Sequence, residues 1–380
     1  MHICLVTSKV FVPREGVGDY TLRLGEELAR EHRVTLLTGA GMGAAGERNG
    51  VTVLPAVPSW GPSGLRVLAR TLDKLQPDVL NLQFEPHLYH RWGINLWLPL
   101  AMLWLRWRGV RLLTTVHEPF VPLTHWKWWL TGPAQRLALA ILICASRKVL
   151  VSIESWTRML QRAFPWRAHD LVWIPVGSAI SEHPLSPLER EAVWKRWGVP
   201  EDHLLVGCFS PLGSGKRLDL LLETWNLVAR RLPNLSLVLI GVTRDEMLGR
   251  VASIPLDDRV TCTGYLAPQE VSRLMGCLAV LLAPYVDGVS ARRTAAIAAM
   301  AHGVPIVATL GHLTDRSLFE GSPIRLVDGD RPDALASAVE DLLSSDRERE
   351  EVGKRTRWFY EQHFAWAVIA KRVLEVATAA

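Results

Sequence analysis

Two stretches in the second half of the chain combine glycine with positive charge in a way suited to holding an anion. Asp287-Gly288-Val289-Ser290-Ala-Arg292-Arg293-Thr294 runs into an Ala-rich segment ending at Met300. A helix opening near Thr294 would present N–H groups without intrahelical acceptors. Cations at that positive end are unfavourable unless an anion lies between them. A diphosphate bound without a metal fits this chemistry. The segment Pro211-Leu-Gly213-Ser214-Gly-Lys216 adds a flexible loop and one further cation. In the first half, Glu15-Gly16-Val-Gly18-Asp19-Tyr20 would let backbone N–H groups approach a ligand at the start of a helix. His117 and Glu118 would face the same crevice. The plainer alternatives are a solvated helix N-terminus, a strand-to-helix turn with Asp19 as N-cap, and a structural histidine.

Other chemistries lack their context. Gly41-Met-Gly43-Ala-Ala-Gly46 matches GxGxxG, but Glu47-Arg-Asn-Gly50 leads straight into Val51-Thr-Val53, leaving no room for the helix that a dinucleotide site requires. A flexible loop is expected there. His87, His90 and His125 have no metal-ligand spacing and read as loop histidines, so no metal is expected. No GxSxG or Cys-His signature supports nucleophilic hydrolysis. Five widely spaced cysteines without CxxC suit neither a disulfide framework nor a zinc knuckle, and a reducing cytoplasm is the expected setting.

Elements that could position these residues follow from periodicity. Short apolar runs at Ile3–Thr7, Arg33–Leu37, Val51–Val53, Val79–Leu82, Leu112–Val116, Val149–Ser152 and Val172–Ile174 alternate with helical patterns such as Asp19–Glu31. That is the signature of βαβ units and a parallel sheet. After a Pro-rich connection the pattern restarts at Leu204–Phe209, Ser236–Ile240, Val260–Cys262, Val280–Ala283 and Ile306–Ala308. The expected fold is α/β: two Rossmann-like doubly wound domains at 1–175 and 176–357. A helical segment at 358–380 is expected to pack back toward the first domain. The candidate sites then fall at the carboxyl ends of strands, where such sheets bind ligands.

The 380 residues are 49% hydrophobic and 21% charged, which excludes a disordered tail and leaves room for two full cores. The net charge is +5, and the excess sits in residues 1–175, with 20 Lys and Arg against 12 Asp and Glu. A basic half can attract phosphorylated ligands or anionic lipid; no basic run with interleaved aromatics favours nucleic acid. Neither a signal peptide nor a bilayer-spanning run is apparent. Seven of the 16 tryptophans lie from Trp92 to Trp129 (Trp92, Trp97, Trp104, Trp107, Trp126, Trp128 and Trp129), among Arg91, Arg106, Arg108, Arg111 and Lys127. One reading is peripheral contact with the inner face of a membrane. The other is a buried helix over Ile94–Trp107, with Trp126–Trp129 lining an acceptor cleft. Apolar residues all round that helix predict no clean stripe.

Taken in order, the segments HICLVTSKVFVPREGVGDYTLRLGEELAREHRVTLLT, TTVHEP, VLVSIESWTRMLQ, WIPVGSAI, GSGKRLDLLLETW, LVLIG, VTCTGYLAPQEVSRLM and AAMAHGVPIVAT resemble the GT-B fold glycosyltransferases of family 4. The resemblance covers nearly the whole chain. It implies a nucleotide-sugar donor held by the C-terminal domain, an acceptor (glycan, lipid-linked or small molecule) held by the N-terminal one, reaction in the cleft between, retention of configuration, and no cofactor or metal. By resemblance, Lys216 is the diphosphate lysine, Gly16–Gly18 the glycine loop and His117 the histidine that contacts the donor sugar. Asp19, Tyr20 and Glu118 are acceptor-side candidates. The chain departs from the family where an E-x7-E motif belongs: Ser290 and Ala298 stand at its two carboxylate positions. The arginine expected ahead of Lys216 is also absent, and Arg217 stands where a glycine belongs. Asp287, Arg292 and Arg293 are the expected replacements. The competing reading is a degenerate GT-B protein that binds a nucleotide sugar or a partner enzyme without turnover.

Overall fold

The computed structural model describes the chain except residues 13, 14, 44, 122, 124, 125, 210–214, 252, 253, 255, 256 and 380. It divides into two compact units, Met1–Val176 with Trp366–Ala380, and Gly177–Ala365.

The first unit contains β1 (His2–Val6), β2 (Arg33–Gly39), β3 (Gly46–Arg48), β4 (Val51–Val57), β5 (Val79–Phe84), β6 (Leu112–Val116), β7 (Lys148–Val151) and β8 (Leu171–Trp173). They form one sheet in the order β3-β4-β2-β1-β5-β6-β7-β8. All neighbours are parallel except β3 and β4. β1, β5 and β6 are buried along their whole length, because helices cover both faces of a parallel sheet and leave no polar side. The GxGxxG segment enters the short antiparallel pair β3–β4, turned by the left-handed pair Asn49 and Gly50, so the expected loop is in part a hairpin and no helix follows it.

The helix after β1 runs from Gly16 to Leu28, three residues earlier than its apolar pattern suggested. Glu15 is its N-cap and makes no side-chain cap, so Asp19 lies in the first turn and is not the cap. A carboxylate there complements the helix dipole. The helix buries Val17, Tyr20, Leu24 and Leu28 against the sheet.

The second unit holds β9 (Leu204–Phe209), β10 (Leu235–Ile240), β11 (Val260–Cys262), β12 (Val280–Ala283), β13 (Ile306–Thr309) and β14 (Arg325–Val327). The order is β11-β10-β9-β12-β13-β14, parallel throughout. Its first helix, Pro187–Trp197, has a full local code: Ser186 and Glu189 form a capping box, Pro187 opens the helix, and Gly198 closes it in the left-handed region. The helix Thr294–Ala301 is buried at every residue but Thr294, which its run of alanines permits.

The C-terminal segment departs from the reading of 358–380 as one unit. Trp358–His363 completes the helix Asp346–His363 of the second unit. Only the helix Trp366–Thr378 belongs to the first, where it packs on Gly16–Leu28. Phe364, fully buried and stacked near Phe319, ends the longer helix.

Candidate functional site

Among its parallel strands each sheet reverses its order once. In the first unit β1 separates β2 from β5; in the second β9 separates β10 from β12. A crevice opens at the carboxyl ends of the strands at such a reversal. The candidate residues collect at these two places.

In the first unit, Tyr20 on the opening turn of its helix meets His117 just beyond β6, ring centroids 4.8 Å apart and edge to face. Trp366 lies against the same tyrosine at 5.3 Å. Tyr20 is buried, and burial pushes its phenol far above the ordinary range. It acts as a neutral wall that orients the imidazole. Gly16 has open space where a side chain would stand, whereas a Cβ on Gly18 would lie 2.5 Å from the Lys9 carbonyl oxygen. Gly18 is therefore glycine for the close passage of its own backbone, and of the two only Gly16 leaves room for a ligand. Asp19 is exposed on the first turn, yet desolvation of its carboxyl, then the charge of Glu15, raises its pKa. Glu118 is half-buried beside His117.

Behind His117 stands a polar chain that sequence reasoning passed over. Its Nε2 lies 2.9 Å from Gln83 Oε1. Gln83 Nε2 donates to Asn81 Oδ1 at 3.1 Å, and Thr115 Oγ1 donates to the same oxygen at 2.9 Å. These bonds orient the Gln83 amide with its oxygen toward the imidazole, so Nε2 carries the proton. Asn81 and Gln83 are fully buried in β5. The available signal was a pair of amides two residues apart in VLNLQF, hence on one face of a strand whose other residues are apolar.

In the second unit, Lys216 follows β9 and forms an isolated antiparallel bridge with Tyr285, which follows β12. Arg217 N donates to the Pro284 oxygen and Val286 N to the Gly215 oxygen, clamping the two loops together. The Lys216 ammonium donates to the Phe209 carbonyl, lies 3.7 Å from Cys208 Sγ, and sits 5.5 Å from the centre of the Tyr285 ring. Burial, and to a smaller degree the charge of Arg293, pulls its pKa below the usual lysine range. The same ring carries the Arg293 guanidinium at 4.5 Å, and Arg293 is ion-paired with Asp287. One tyrosine thus gathers both cations beside the start of the Thr294–Ala301 helix.

Several expected donor groups turn out to hold the loop instead. Val289 N donates to the Thr309 oxygen, Ala291 N to the buried Asp315 carboxylate, and Gly288 N lies 3.4 Å from the Tyr285 oxygen. The backbone N–H groups of Gly288 and Val289 are thus engaged within the fold and do not face a sugar. Asp287 is bound to Arg293 and does not stand as an independent sugar ligand. Val289 and Ser290 are buried, and the Ser290 hydroxyl has no hydrogen-bond partner among the described residues. Ala298, at the other carboxylate position, is fully buried inside the helix. Thr294 is exposed at the helix start, with Arg292 half-buried before it. Arg217, in place of a glycine, is bound away from the site by Asp219 and Asp330. Gly213 and Ser214 lie outside the described residues, as does His125. Among the described residues no group of three His, Cys, Asp or Glu converges.

A family model described as "Glycosyltransferase Family 4" matches residues 14–179, and one described as "Glycosyl transferases group 1" matches residues 203–345. A GDP-mannose-dependent alpha-(1-6)-phosphatidylinositol monomannoside mannosyltransferase from Mycolicibacterium smegmatis is 24% identical over 391 residues, spanning 98% of this chain and 97% of the relative. Among solved structures, sucrose-phosphate synthase from Thermosynechococcus elongatus matches with a TM-score of 0.74 at 17% identity, over 100% of this chain and 98% of that one. Anabaena HepE in complex with UDP and glucose matches with a TM-score of 0.71 at 16% identity, over 100% of both chains. At these identities the solved structures establish a shared fold.

Proposed function

Because the chain belongs to the group 1, family 4 glycosyltransferases and has their GT-B fold, we propose that it moves a glycosyl unit from a nucleoside diphosphate sugar to an acceptor hydroxyl with retention and without a metal. The observation that carries this reading is the gathering of Lys216 and Arg293 around Tyr285 at the N-terminus of the Thr294–Ala301 helix. Fixed positive charge aimed at a leaving group lowers the barrier without reorganisation. Here Lys216, Arg292, Arg293 and the first helical N–H groups take the role a divalent ion would otherwise fill.

In the reaction the bond from the anomeric carbon to the diphosphate oxygen breaks, and a bond to the acceptor oxygen forms on the same face. The departing diphosphate oxygen accepts the acceptor proton, so no separate carboxylate base is needed. This suits a site whose two E-x7-E positions are serine and alanine. Donor hydroxyls that those carboxylates would have bound are left to His117, while Asp19 and Glu118 line the acceptor side; Tyr20, expected there too, is buried and only braces His117. The Mycolicibacterium relative makes GDP-mannose the first donor to test. It also makes a lipid-linked hydroxyl, reached by peripheral contact at the cytoplasmic face of a membrane, the first acceptor. No helix among the described residues is long and apolar enough to cross a membrane.

The test is calorimetric titration with UDP, GDP, ADP and dTDP, first without metal and then with magnesium, followed by turnover with the matching sugar nucleotides. Selective metal-independent binding followed by sugar transfer is expected. Binding of one nucleotide without hydrolysis or transfer, across acceptor classes, would overturn the catalytic reading. Binding that requires magnesium would overturn the metal-free one.

A further inference from the structure

The helix Trp97–Trp107 has two apolar faces. Leu98, Met102 and Leu105 point into the first unit's core and are buried. Trp97, Leu100, Trp104 and Trp107 are 58%, 45%, 45% and 77% exposed. At ~100° per residue these four fall within roughly 80° of arc, opposite the buried set. The absence of a clean stripe in the sequence is thus the sum of two stripes.

The exposed stripe forms one wall of a groove whose other wall is the helix Pro62–Leu75. The groove holds about 480 Å³, its floor includes Leu65, Ala69 and Ala101, and Arg66, Arg70 and Arg108 stand along it. Its one carboxylate among the described residues, Asp73, is tied to Arg108 at 3.2 Å. Arg108 also lies over the Trp104 ring at 4.7 Å. Arg66 and Arg70 pair with no carboxylate among the described residues. Contiguous exposed apolar surface marks an interaction site. Tryptophans flanked by arginines suit the boundary where acyl chains give way to phosphate headgroups.

We propose that this face, the Trp97–Trp107 stripe and its groove with Pro62–Leu75, docks on an anionic lipid leaflet. Trp97, Trp104 and Trp107 lie at headgroup depth, Leu100 and the groove take apolar chain, and Arg66 and Arg70 meet lipid phosphates. The choice of lipid over a protein surface rests on charge: the rim offers unpaired arginines and no unpaired carboxylate, which complements a uniformly anionic plane. This deepens the membrane contact proposed above and rests on it. Binding is therefore read without donor or acceptor, so that failure here leaves the glycosyl-transfer reading standing.

The experiment is flotation of the full chain with vesicles of phosphatidylcholine alone or with 30% phosphatidylglycerol (about that fraction suffices for a strongly anionic surface), at low and high salt. Binding to the anionic vesicles only, weakened by salt, is expected. Leu100→Asp with Trp104→Ala should lower partitioning at least about 10-fold, and Arg66→Gln or Arg70→Gln about fivefold each. All four positions are exposed, so the fold is kept. Trp358→Ala, an exposed tryptophan of the second unit, should bind as the parent does. No flotation with anionic vesicles would overturn the proposal. So would unchanged binding of the Leu100 and Trp104 variant, or concentration-dependent self-association that Leu100→Asp abolishes, which would assign the face to a second copy of the chain.

Discussion

Lys216 keeps its ammonium in a place that burial makes unfavourable, with a second cation close by. A diphosphate arriving there would reverse that balance, since opposite charge favours the protonated form. Lys216→Ala should therefore weaken nucleoside diphosphate binding and turnover by 10-fold or more, the scale of a charge-assisted hydrogen bond at ~1.5 to 3 kcal/mol. The pH sign follows from the lowered pKa. The charged form is lost as pH rises, beginning below the usual lysine range, so calorimetric affinity should fall as pH rises through that window. Lys216→Arg, which stays charged, should flatten the fall. In the first unit Gln83 is a positioning residue for His117. Gln83→Leu should lower kcat with little change in KM for the donor. Nitrogen chemical shifts of His117 should then report a mixture of tautomers where the parent protein has the Nε2-protonated form. A purely structural role for Gln83 would leave the tautomer alone.

At the level of elements, the loop after β12 is shaped from a distance. Thr309 at the end of β13 accepts from Tyr285 N and donates to the Tyr285 oxygen, both at 2.8 Å; Gly311, Thr314 and Asp315 complete the support. Gly288 sits there at φ 85°, and a Cβ on it would lie 2.3 Å from Gly311 N. Gly288→Ala should cost about 1 to 3 kcal/mol in denaturant unfolding of the second unit. It should also reduce nucleotide affinity, because the loop that carries Arg293 must move. These partners explain where sequence reasoning succeeded and where it stopped. Strands such as β1, β6 and β9 were legible because burial on both faces writes a short run of apolar and β-branched residues without charge. That Lys216 and Arg293 would come near one another was legible because each follows a strand end, and β9 and β12 pair side by side. Nothing near Gly288 or Val289 announces that Thr309 and Tyr285 take their N–H groups, since one of those partners lies about twenty residues away and is met only through the sheet. Asn81 and Gln83 were legible in principle, by their spacing, but their purpose appears only once β6 brings His117 alongside.

Across the whole molecule, the units are not successive segments of chain. The last helix supplies part of the first unit's core: Ile369, Ala370, Val373 and Ala377 are buried, Ala377 with Val79 and Leu113. Over 13 residues it runs ~20 Å, from Trp366 beside Tyr20 to the amino-terminal ends of β5 and β6. Ile369→Ala should cost about 2 to 5 kcal/mol. Hydrogen exchange should rise across β1, β5 and β6 while β9 to β14 keep their protection. The sequence pattern separated the two successions of strand and helix but placed the return eight residues early, because the helical pattern continues through Trp358–His363 and only the break at Phe364–Ala365 ends it. This return has a consequence for biosynthesis. A chain growing on the ribosome can assemble the second unit as soon as Ala365 clears the exit tunnel, but the unit begun first must wait for Thr378 before its core is whole. The unit whose strands come first in the chain is thus the later to mature, and until its closing helix arrives the uncovered part of its sheet is what chaperones would need to guard.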